Sequence, residues 1–255
     1  LGKVGLTEPR RTRVARAGGR LAQGLKAEAP NDVWSVDFKG WWRDGGGARV
    51  EPLSVRDEYS RMILELRAVP DARTETVRAR FEELFCKHGL PGAMRSDNGP
   101  PFASLNGVLG LSRLSAWWLA LGIQLERGRP GCPQDNGAHE RMHLDVRREL
   151  QAGRIGGSDE AFEQWRHEFN TERPHEALEM ATPSEVYRPS ARSYEGTPEA
   201  LDYEGRETRR VQAQGQIRFR GHTVFIGSAL VGWDVALGDQ QAERIASLEE
   251  ENRKA

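Results

Sequence analysis

The sequence predicts an α/β domain built on a mixed sheet and followed by a small β module. Three apolar-rich segments at 33–39, 49–56 and 61–69 are separated by short turns, as in antiparallel strands. From Thr74 the apolar spacing becomes helical, and helices then alternate with short strands. Beyond residue 206 apolar and polar residues alternate again, as they do in a half-buried strand. This order predicts a five-stranded mixed sheet, antiparallel first and then joined by helical crossovers.

The first predicted strand carries an acidic residue in an apolar setting. Val36 and Phe38 alternate with Ser35 and Asp37, so Asp37 is predicted to project to the face opposite the apolar side chains. A lone acid inside an apolar strand is costly unless it is paired or faces water. Asp37 is therefore either a solvent-facing residue or part of a site.

Helical spacing and short apolar runs predict the elements after the first three strands. The predicted helices begin at Thr74 and cover 111–121, 136–151 and 158–170, with a short helix after Thr182, and the predicted strands are 92–96 and 123–125. Of the adjacent Trp117 and Trp118, one is interpreted as core and the other as half-exposed.

The chain divides into five predicted segments. They are a basic N-terminal arm at 1–29, a core at 30–190, a linker at 191–205, a small β module at 206–239 and a charged tail with helical spacing at 240–255. The arm has seven basic and two acidic residues, a net charge of +5. Such an arm suits DNA phosphates, and it equally suits a solvated terminus.

Composition excludes several classes of protein. With 255 residues, 37% hydrophobic and 29% charged, the chain is ordinary globular material. It has no signal peptide and no apolar run near the roughly 20 residues of a membrane span, which predicts a cytoplasmic protein. Two cysteines make no disulfide framework. The chain starts at Leu1, from which we expect further material upstream.

Three carboxylates stand in settings that suggest a site. Asp37 lies in a predicted strand, Asp97 opens the turn that ends at Gly99, and Glu140 comes early in the helix that follows the loop 127–135. Hard divalent cations such as Mg²⁺ prefer oxygen ligands, and two ions can hold the oxygens of a phosphoryl displacement. Taken singly, each acid has another explanation: an exposed strand face, turn formation, or the helix dipole.

The predicted Glu140 helix presents further polar residues. His143 and Arg147 follow Glu140 at i+3 and i+7 and share its face. We interpret Arg147 and His143 as DNA contacts, with a plain exposed arginine as the alternative for Arg147. A zinc site from His139, His143 and Cys132 is poorly supported, because no second cysteine forms a pair with Cys132.

Other predicted DNA contacts lie outside that helix. Asn136 comes just before it and is predicted to orient the substrate or a water molecule. Arg218 and Arg220 alternate with apolar residues in the β module and are predicted to share a strand face that contacts phosphate. Gly221 and His222 are predicted to form a two-residue hairpin turn.

Four ordered blocks resemble the integrase-core transposases of bacterial insertion sequences, which are related to retroviral integrases. The blocks are Trp34–Lys39, Ser96–Phe102, Gly131–His143 and Phe169–Ser184, and the resemblance covers about residues 30–190. It implies a ribonuclease H-like fold and a catalytic, metal-binding Asp-Asp-Glu triad formed by Asp37, Asp97 and Glu140.

The resemblance also implies an activity and partners. It implies two Mg²⁺ or Mn²⁺ ions per active site, DNA strand cleavage by water, and strand transfer by the freed 3′-hydroxyl. The implied partners are transposon ends and target DNA, bound by a homo-oligomer near the nucleoid, with no membrane and no small-molecule substrate. A nuclease of the same fold and a non-catalytic DNA-binding protein are the alternatives.

Two features depart from the family pattern. Asp97 and Glu140 are 43 positions apart, which is longer than in the retroviral pattern, with the excess around 103–116. The helix-turn-helix region that usually lies upstream in such transposases is absent from this sequence.

Overall fold

The computed structural model covers most of the chain between residues 24 and 236. The described residues are 24–38, 42–43, 47, 49–69, 71–104, 108–128, 137–152, 158–199 and 201–236, with backbone alone at 108, 137–141, 151 and 152. The N-terminal arm up to residue 23, Asn136 and the predicted tail at 240–255 lie outside the described residues.

Strands and helices follow one another in the predicted order. The strands are β1 (Val33–Phe38), β2 (Trp42–Arg43), β3 (Arg49–Val50), β4 (Pro52–Asp57), β5 (Ile63–Ala68), β6 (Ala93–Ser96), β7 (Gln124–Arg127), β8 (Thr208–Arg210), β9 (Gln216–Phe219), β10 (His222–Phe225) and β11 (Asp234–Ala236). The helices are α1 (Thr74–His88), α2 (Arg113–Ala120), α3 (Gly137–Ala152), α4 (Asp159–Thr171) and α5 (Pro183–Val186). Over the described part of the chain, no helix is both long and apolar enough to cross a bilayer.

Five strands form the central sheet in the order β5–β4–β1–β6–β7. β4 pairs antiparallel with both β1 and β5, whereas β6 runs parallel to β1 and β7 runs parallel to β6. The predicted mixed α/β sheet is therefore confirmed. Because β1, β6 and β7 are parallel, their carboxyl ends lie at the same edge of the sheet.

The two faces of the sheet pack against different helices. On one face Trp34 and Val36 belong to a large apolar cluster with residues of α1 and α2. On the other face Ile63 and Leu66 pack with Met142 of α3 and with apolar residues of α4. Side chains alternate along a strand, so the odd-numbered residues of β1 project to the face of the sheet that α3 and α4 cover.

Polar residues occupy that second face on the inner strands. Ser35 of β1 is in register with Arg56 of β4 and Arg95 of β6, and Arg95 is in register with Glu126 of β7. Asp37 lies two residues further along β1, on the same face. The predicted placement of Asp37 opposite the apolar side chains of its strand is thereby confirmed.

Asn170 of α4 pairs with the edge strand β5. Its Nδ2 donates to the main-chain oxygen of Ile63, and its Oδ1 accepts from the Ile63 N–H, both at 2.9 Å. Asn170 is only 2% exposed. The side-chain amide thus replaces a neighbouring strand for one residue of an otherwise open edge.

The segment 191–205 was predicted to be a linker. Its described residues form no helix or strand, and part of it packs on the core. Thr197 accepts hydrogen bonds from Trp117 Nε1 at 2.9 Å and from Arg78 Nη2 at 2.8 Å. Trp117 and Trp118 are both buried, so the interpretation of one of them as half-exposed is wrong. The returning segment covers Trp117, and the apolar cluster encloses Trp118.

The β module contains a hairpin of β9 and β10 and a second pair, β8 with β11. Phe219 pairs with His222, so the two-residue turn is Arg220–Gly221 and not Gly221–His222. Both turn residues have positive φ, 45° and 85°, as a type I′ hairpin turn requires. Arg220 therefore lies in the turn, whereas Arg218 lies in the strand.

Candidate active site

Asp37 projects from β1 on the face that α3 covers, and the residue is only 6% exposed. Its register partner on β4 is Ser54. The Ser54 hydroxyl donates to the main-chain oxygen of Asp37 at 3.2 Å. The main chain of Asp37 is therefore held in the central strand of the sheet.

Asp97 follows directly after β6. Its predecessor Ser96 is the register partner of Val36, so Asp97 comes level with Asp37 on the adjacent parallel strand. Neighbouring strands are about 4.8 Å apart. Asp97 Oδ1 accepts the Gly99 N–H at 3.0 Å, which closes a side-chain turn. The two acids thus stand side by side at the carboxyl edge of the sheet.

Gly99 leaves room for the Asp97 carboxylate. A Cβ added at Gly99 would lie 3.1 Å from Asp97 Oδ2 and 3.5 Å from Oδ1. The first distance is tighter than most Cβ contacts in proteins. The same turn is tied to the end of β7, because Asn98 Nδ2 donates to the main-chain oxygen of Gly128 at 2.9 Å. The loop therefore holds Asp97 while keeping its carboxylate uncovered.

The helix α3 brings Glu140 into this region. It spans Gly137–Ala152, close to the predicted 136–151. One turn after Glu140, the His143 ring lies with Nε2 2.6 Å from Ser54 Oγ and Nδ1 3.9 Å from Asp37 Oδ2. Positions 140 and 143 share one side of a helix, so the backbone that carries Glu140 lies beside the strand that carries Asp37.

The proposed triad itself remains a prediction. Asp37 and Asp97 are described, but the Glu140 side chain and Asn136 lie outside the described residues. Among the described side chains, no three metal-binding residues form one group. The zinc interpretation rests on residues that include Cys132, which also falls outside.

The predicted DNA contacts differ in exposure. His143 is only 7% exposed and its ring contacts Ser54, so it faces the sheet and not an open surface. This corrects the interpretation drawn from the helix face alone, which did not include the strand beneath. Arg147, one turn further on, is exposed. Arg218 and Arg220 are exposed as well, and the Arg220 guanidinium lies over the ring of the residue before it.

The described donors fit a hard divalent cation. Asp37 and Asp97 offer carboxylate oxygens from neighbouring parallel strands, and Gly99 leaves the second carboxylate uncovered. Mg²⁺ typically takes one or two protein carboxylates and completes its shell with water and substrate phosphate. The residues present therefore suit Mg²⁺ or Mn²⁺.

A buried arginine stands near the Asp97 carboxylate. Arg127 ends β7 and is 8% exposed, with Nη2 donating to the main-chain oxygen of Gly110 at 3.0 Å. Burial lowers the pKa of the Arg127 guanidinium, and the Asp97 carboxylate partly offsets that effect. Sequence reasoning missed this residue, because the strand was predicted to end at residue 125 and Arg127 was placed in the following loop.

A row of ion pairs lies level with Ser35 and Arg95, two residues before Asp37 and Asp97 on their strands. Glu58 accepts from Arg56 at 2.6 Å and from Arg95 at 3.3 Å, and Arg95 Nε donates to Glu126 at 2.9 Å. Burial raises the pKa of the Glu58 carboxyl, but Arg56, the Ser35 hydroxyl and Arg95 together outweigh burial and leave that pKa below its ordinary value. The sequence analysis did not identify this row, because its four members come from three separate segments of the chain.

The same row holds the first described residues of the chain. Glu126 Oε1 accepts the N–H groups of Gly24 and Leu25 at 2.8 and 3.1 Å. Arg95 Nη2 donates to the Leu25 oxygen at 2.7 Å. These four residues form what we call the N-terminal clasp.

The clasp fixes the direction of the chain before β1. The Asn31 oxygen accepts the Gly92 N–H at 2.8 Å, near the amino end of β6. Leu25 lies level with Arg95, two residues before Asp97. Traced backwards from β1, the chain therefore runs towards the carboxyl edge where the two acids stand.

The fourth sequence block, Phe169–Ser184, contributes a residue that packs two helices together. Arg173 donates to both carboxylate oxygens of Glu149, at 2.9 and 2.5 Å, and its guanidinium lies 5.0 Å from the centre of the Trp165 ring. Hydrogen bonding to Glu149 raises the pKa of Arg173. Arg173 thus joins α3 to α4, and it holds the helix that carries Glu140.

Comparison with known proteins gives consistent matches. Two family models, both described as an integrase core domain, match residues 27–133 and 121–183. An uncharacterized 31.7 kDa protein of insertion element IS407 from Burkholderia multivorans is 31% identical over 171 residues, covering 62% of this chain and 55% of that protein. An uncharacterized 39.2 kDa protein of insertion element IS476 from Xanthomonas euvesicatoria is 26% identical over 180 residues, covering 69% and 50%. The chain spans about half the length of these relatives.

A solved structure shows the same fold. A chain in the cryo-electron microscopy structure of the simian T-cell lymphotropic virus intasome, in complex with PP2A regulatory subunit B56 gamma, matches with a TM-score of 0.53 and 16% identity. The match covers 87% of this chain and 83% of that one. The fold is ribonuclease H-like, as the resemblance of the sequence blocks implies.

Proposed function

This chain belongs to the integrase-core family of bacterial insertion-element proteins, which is related to retroviral integrases, and we propose that it is a transposase. It would cut DNA with water and join the freed 3′-hydroxyl to target DNA. The observation that carries the proposal is the pair Asp37 and Asp97, level on adjacent parallel strands, with the Glu140 helix docked beside Asp37.

Asp37, Asp97 and Glu140 would hold two Mg²⁺ or Mn²⁺ ions. Such a pair, about 4 Å apart, stabilises both the attacking and the leaving oxygen of an in-line phosphoryl displacement. Asp37 comes from a central strand and suits a ligand shared between the ions. Asp97 comes from a closed turn that leaves Oδ2 uncovered, and it suits one of them.

The residues around the two acids would position the DNA. Arg147 is exposed two turns after Glu140, where its guanidinium could contact a phosphate near the cut. No side chain of the protein acts as a nucleophile in this scheme; water and then the 3′-hydroxyl are the nucleophiles. The work of the protein is to orient the scissile phosphate and keep the carboxylates in place.

The N-terminal arm is the second proposed DNA contact. Its net charge of +5 suits phosphate, and the clasp directs the chain towards the carboxyl edge of the sheet. DNA affinity falls with salt by about 0.9 logarithmic units per phosphate contact. Replacing Arg10 and Arg11 with Gln should lower that slope by up to about 2, whereas the same change at the exposed Arg73 and Arg113 should leave it unaltered. If the Arg10/Arg11 and Arg73/Arg113 variants showed the same salt dependence of DNA affinity, the arm would not be part of the DNA interface.

We expect the active species to be a homo-oligomer on paired DNA ends, as the resemblance implies. Sedimentation of the chain with and without transposon-end DNA measures this directly. Joining by a complex that contains only one protein chain and one unpaired DNA end would contradict the expectation.

The deciding experiment is an assay with labelled transposon-end DNA and Mg²⁺ or Mn²⁺. Joined products would support a transposase, and cleavage without joining would support a nuclease of the same fold. Asp37→Asn and Glu140→Gln should abolish both reactions, while Asp145→Asn on the same helix should retain them. Unchanged activity in the first two variants would refute the metal-site proposal.

A further inference from the structure

A buried hydrogen bond joins the Glu140 helix to the centre of the sheet. Ser54 is 0% exposed and His143 is 7% exposed, and Ser54 Oγ lies 2.6 Å from His143 Nε2. The same hydroxyl is 3.2 Å from the main-chain oxygen of Asp37. One serine thus contacts both the strand that carries Asp37 and the helix that carries Glu140.

The apolar packing of α3 does not by itself fix where the helix stands along its own axis near Glu140, and the hydrogen bonds of Glu149 hold it more than two turns further on. Its apolar stripe, formed by Met142, Val146 and Leu150, packs against apolar residues of β5 and α4. Apolar burial is non-directional, so it fixes the distance of a helix from a sheet better than its sliding along the axis. A hydrogen bond between two buried side chains is directional and is lost when the helix shifts.

We propose that Ser54 and His143 are positioning residues that set where Glu140 stands relative to Asp37. This inference rests on the proposed function, since it assumes that both acids hold the same metal ions. The His143 side chain lies one helical turn after Glu140, with Nδ1 3.9 Å from Asp37 Oδ2, so a shift of α3 that moved Glu140 would also break the His143 contact. Displacements of about 1 Å are enough to impair a catalytic site.

Binding of Mn²⁺ to the full chain without DNA tests the proposal with a readout other than activity. Residues that orient metal ligands typically change affinity by about 10- to 100-fold when they are replaced. Ser54→Ala should therefore weaken Mn²⁺ binding at least about tenfold in calorimetry, with the circular dichroism spectrum unchanged. His143→Leu should do the same, whereas His143→Gln, whose amide can still reach Ser54, should recover most of the affinity.

A matched control separates positioning from general stability. Ser60 is also 0% exposed, and its hydroxyl donates to Asp57 at 2.6 Å in the turn after β4, away from the carboxyl end of β1. Ser60→Ala should lower stability while leaving Mn²⁺ affinity unaltered.

The outcomes distinguish this inference from the proposed function. If folded Ser54→Ala and His143→Leu bind Mn²⁺ as tightly as the unaltered chain, the positioning role is refuted and the metal site stands. If the unaltered chain binds no Mn²⁺, or if Asp37→Asn binds Mn²⁺ as tightly as the unaltered chain, the metal site fails and the positioning role fails with it. If Ser54→Ala does not fold, equal affinities of His143→Gln and His143→Leu would refute the role.

Discussion

The side-chain amide of Asn170 should contribute strongly to the stability of the core, so replacing it should lower the free energy of unfolding. It is 2% exposed and exchanges two 2.9 Å hydrogen bonds with the main chain of Ile63 on the edge strand β5. Asn170→Ala removes both partners at once. The perturbation lies at the β5 edge of the sheet, three strands away from β6, which precedes Asp97.

The size of the effect follows from which Ile63 groups lose their partners. The Ile63 N–H would be left buried and unsatisfied, which costs about 1–3 kcal/mol. The Ile63 oxygen keeps a second donor, because Arg166 Nη1 lies 3.3 Å from it. We therefore expect the free energy of unfolding to fall by about 2–3 kcal/mol for Asn170→Ala.

Urea unfolding followed by circular dichroism measures this change. Gln164→Ala is the matched control, because that amide is exposed on the same helix and bonds only to Glu168 within the described contacts. The control should stay within about 0.5 kcal/mol of the unaltered chain. A loss below about 0.5 kcal/mol for Asn170→Ala would refute the idea that its amide completes the edge of the sheet.

Three further predictions concern the site, pH and helix packing. Gly99→Ala should weaken Mn²⁺ binding by about tenfold, because its Cβ would displace the Asp97 carboxylate from 3.1 Å away, and an unaltered titration would contradict this. Burial, with Lys87 nearby, lowers the pKa of His88 to about 4 in the folded chain. Between about pH 6.5 and pH 4, His88 is therefore protonated in the unfolded chain and neutral in the folded chain. Unfolding free energy should therefore fall by about 3 kcal/mol between pH 7 and pH 4 from this group and fall less in His88→Gln, whereas parallel pH profiles would count against it. Arg173→Lys should cost no more than about 1 kcal/mol in urea unfolding, since the paired carboxylate is partly exposed, and a much larger loss would show that the stacking on Trp165 dominates.

Local patterns predicted the elements that position the acids. The alternation around Val36 placed Asp37 on the correct face of β1, and helical spacing gave α3 within one residue at each end. The alternation and the helical spacing both depend only on residues that are close together in the chain, so they can be recognised from the sequence. The level of Asp97 with Asp37 followed once β6 was recognised as a parallel neighbour of β1.

Features that depend on strand register could not be predicted in this way. His143 was assigned to a DNA-contacting face because only its spacing from Glu140 was visible. Its contact with Ser54 depends on β4 lying beneath α3, and nothing in the segment around Ser54 signals that. The ion pairs of Arg95 with Glu58 and Glu126 likewise join residues far apart in the chain.

Two smaller errors have simple causes. The hairpin turn was placed one residue late because Gly221 suggested its start, whereas Arg220 also adopts positive φ. One of the adjacent tryptophans was taken as half-exposed because helical periodicity did not include the returning segment around Thr197, which accepts a bond from Trp117.

The most direct test of the metal site is a crystal structure of the chain soaked in Mn²⁺, with anomalous scattering used to locate the ions. We expect Mn²⁺ between the carboxylates of Asp37 and Asp97, with Glu140 completing the site from the first turns of α3. Anomalous density elsewhere, or a Glu140 carboxylate that points away from Asp37 in an ordered helix, would contradict the proposed metal site.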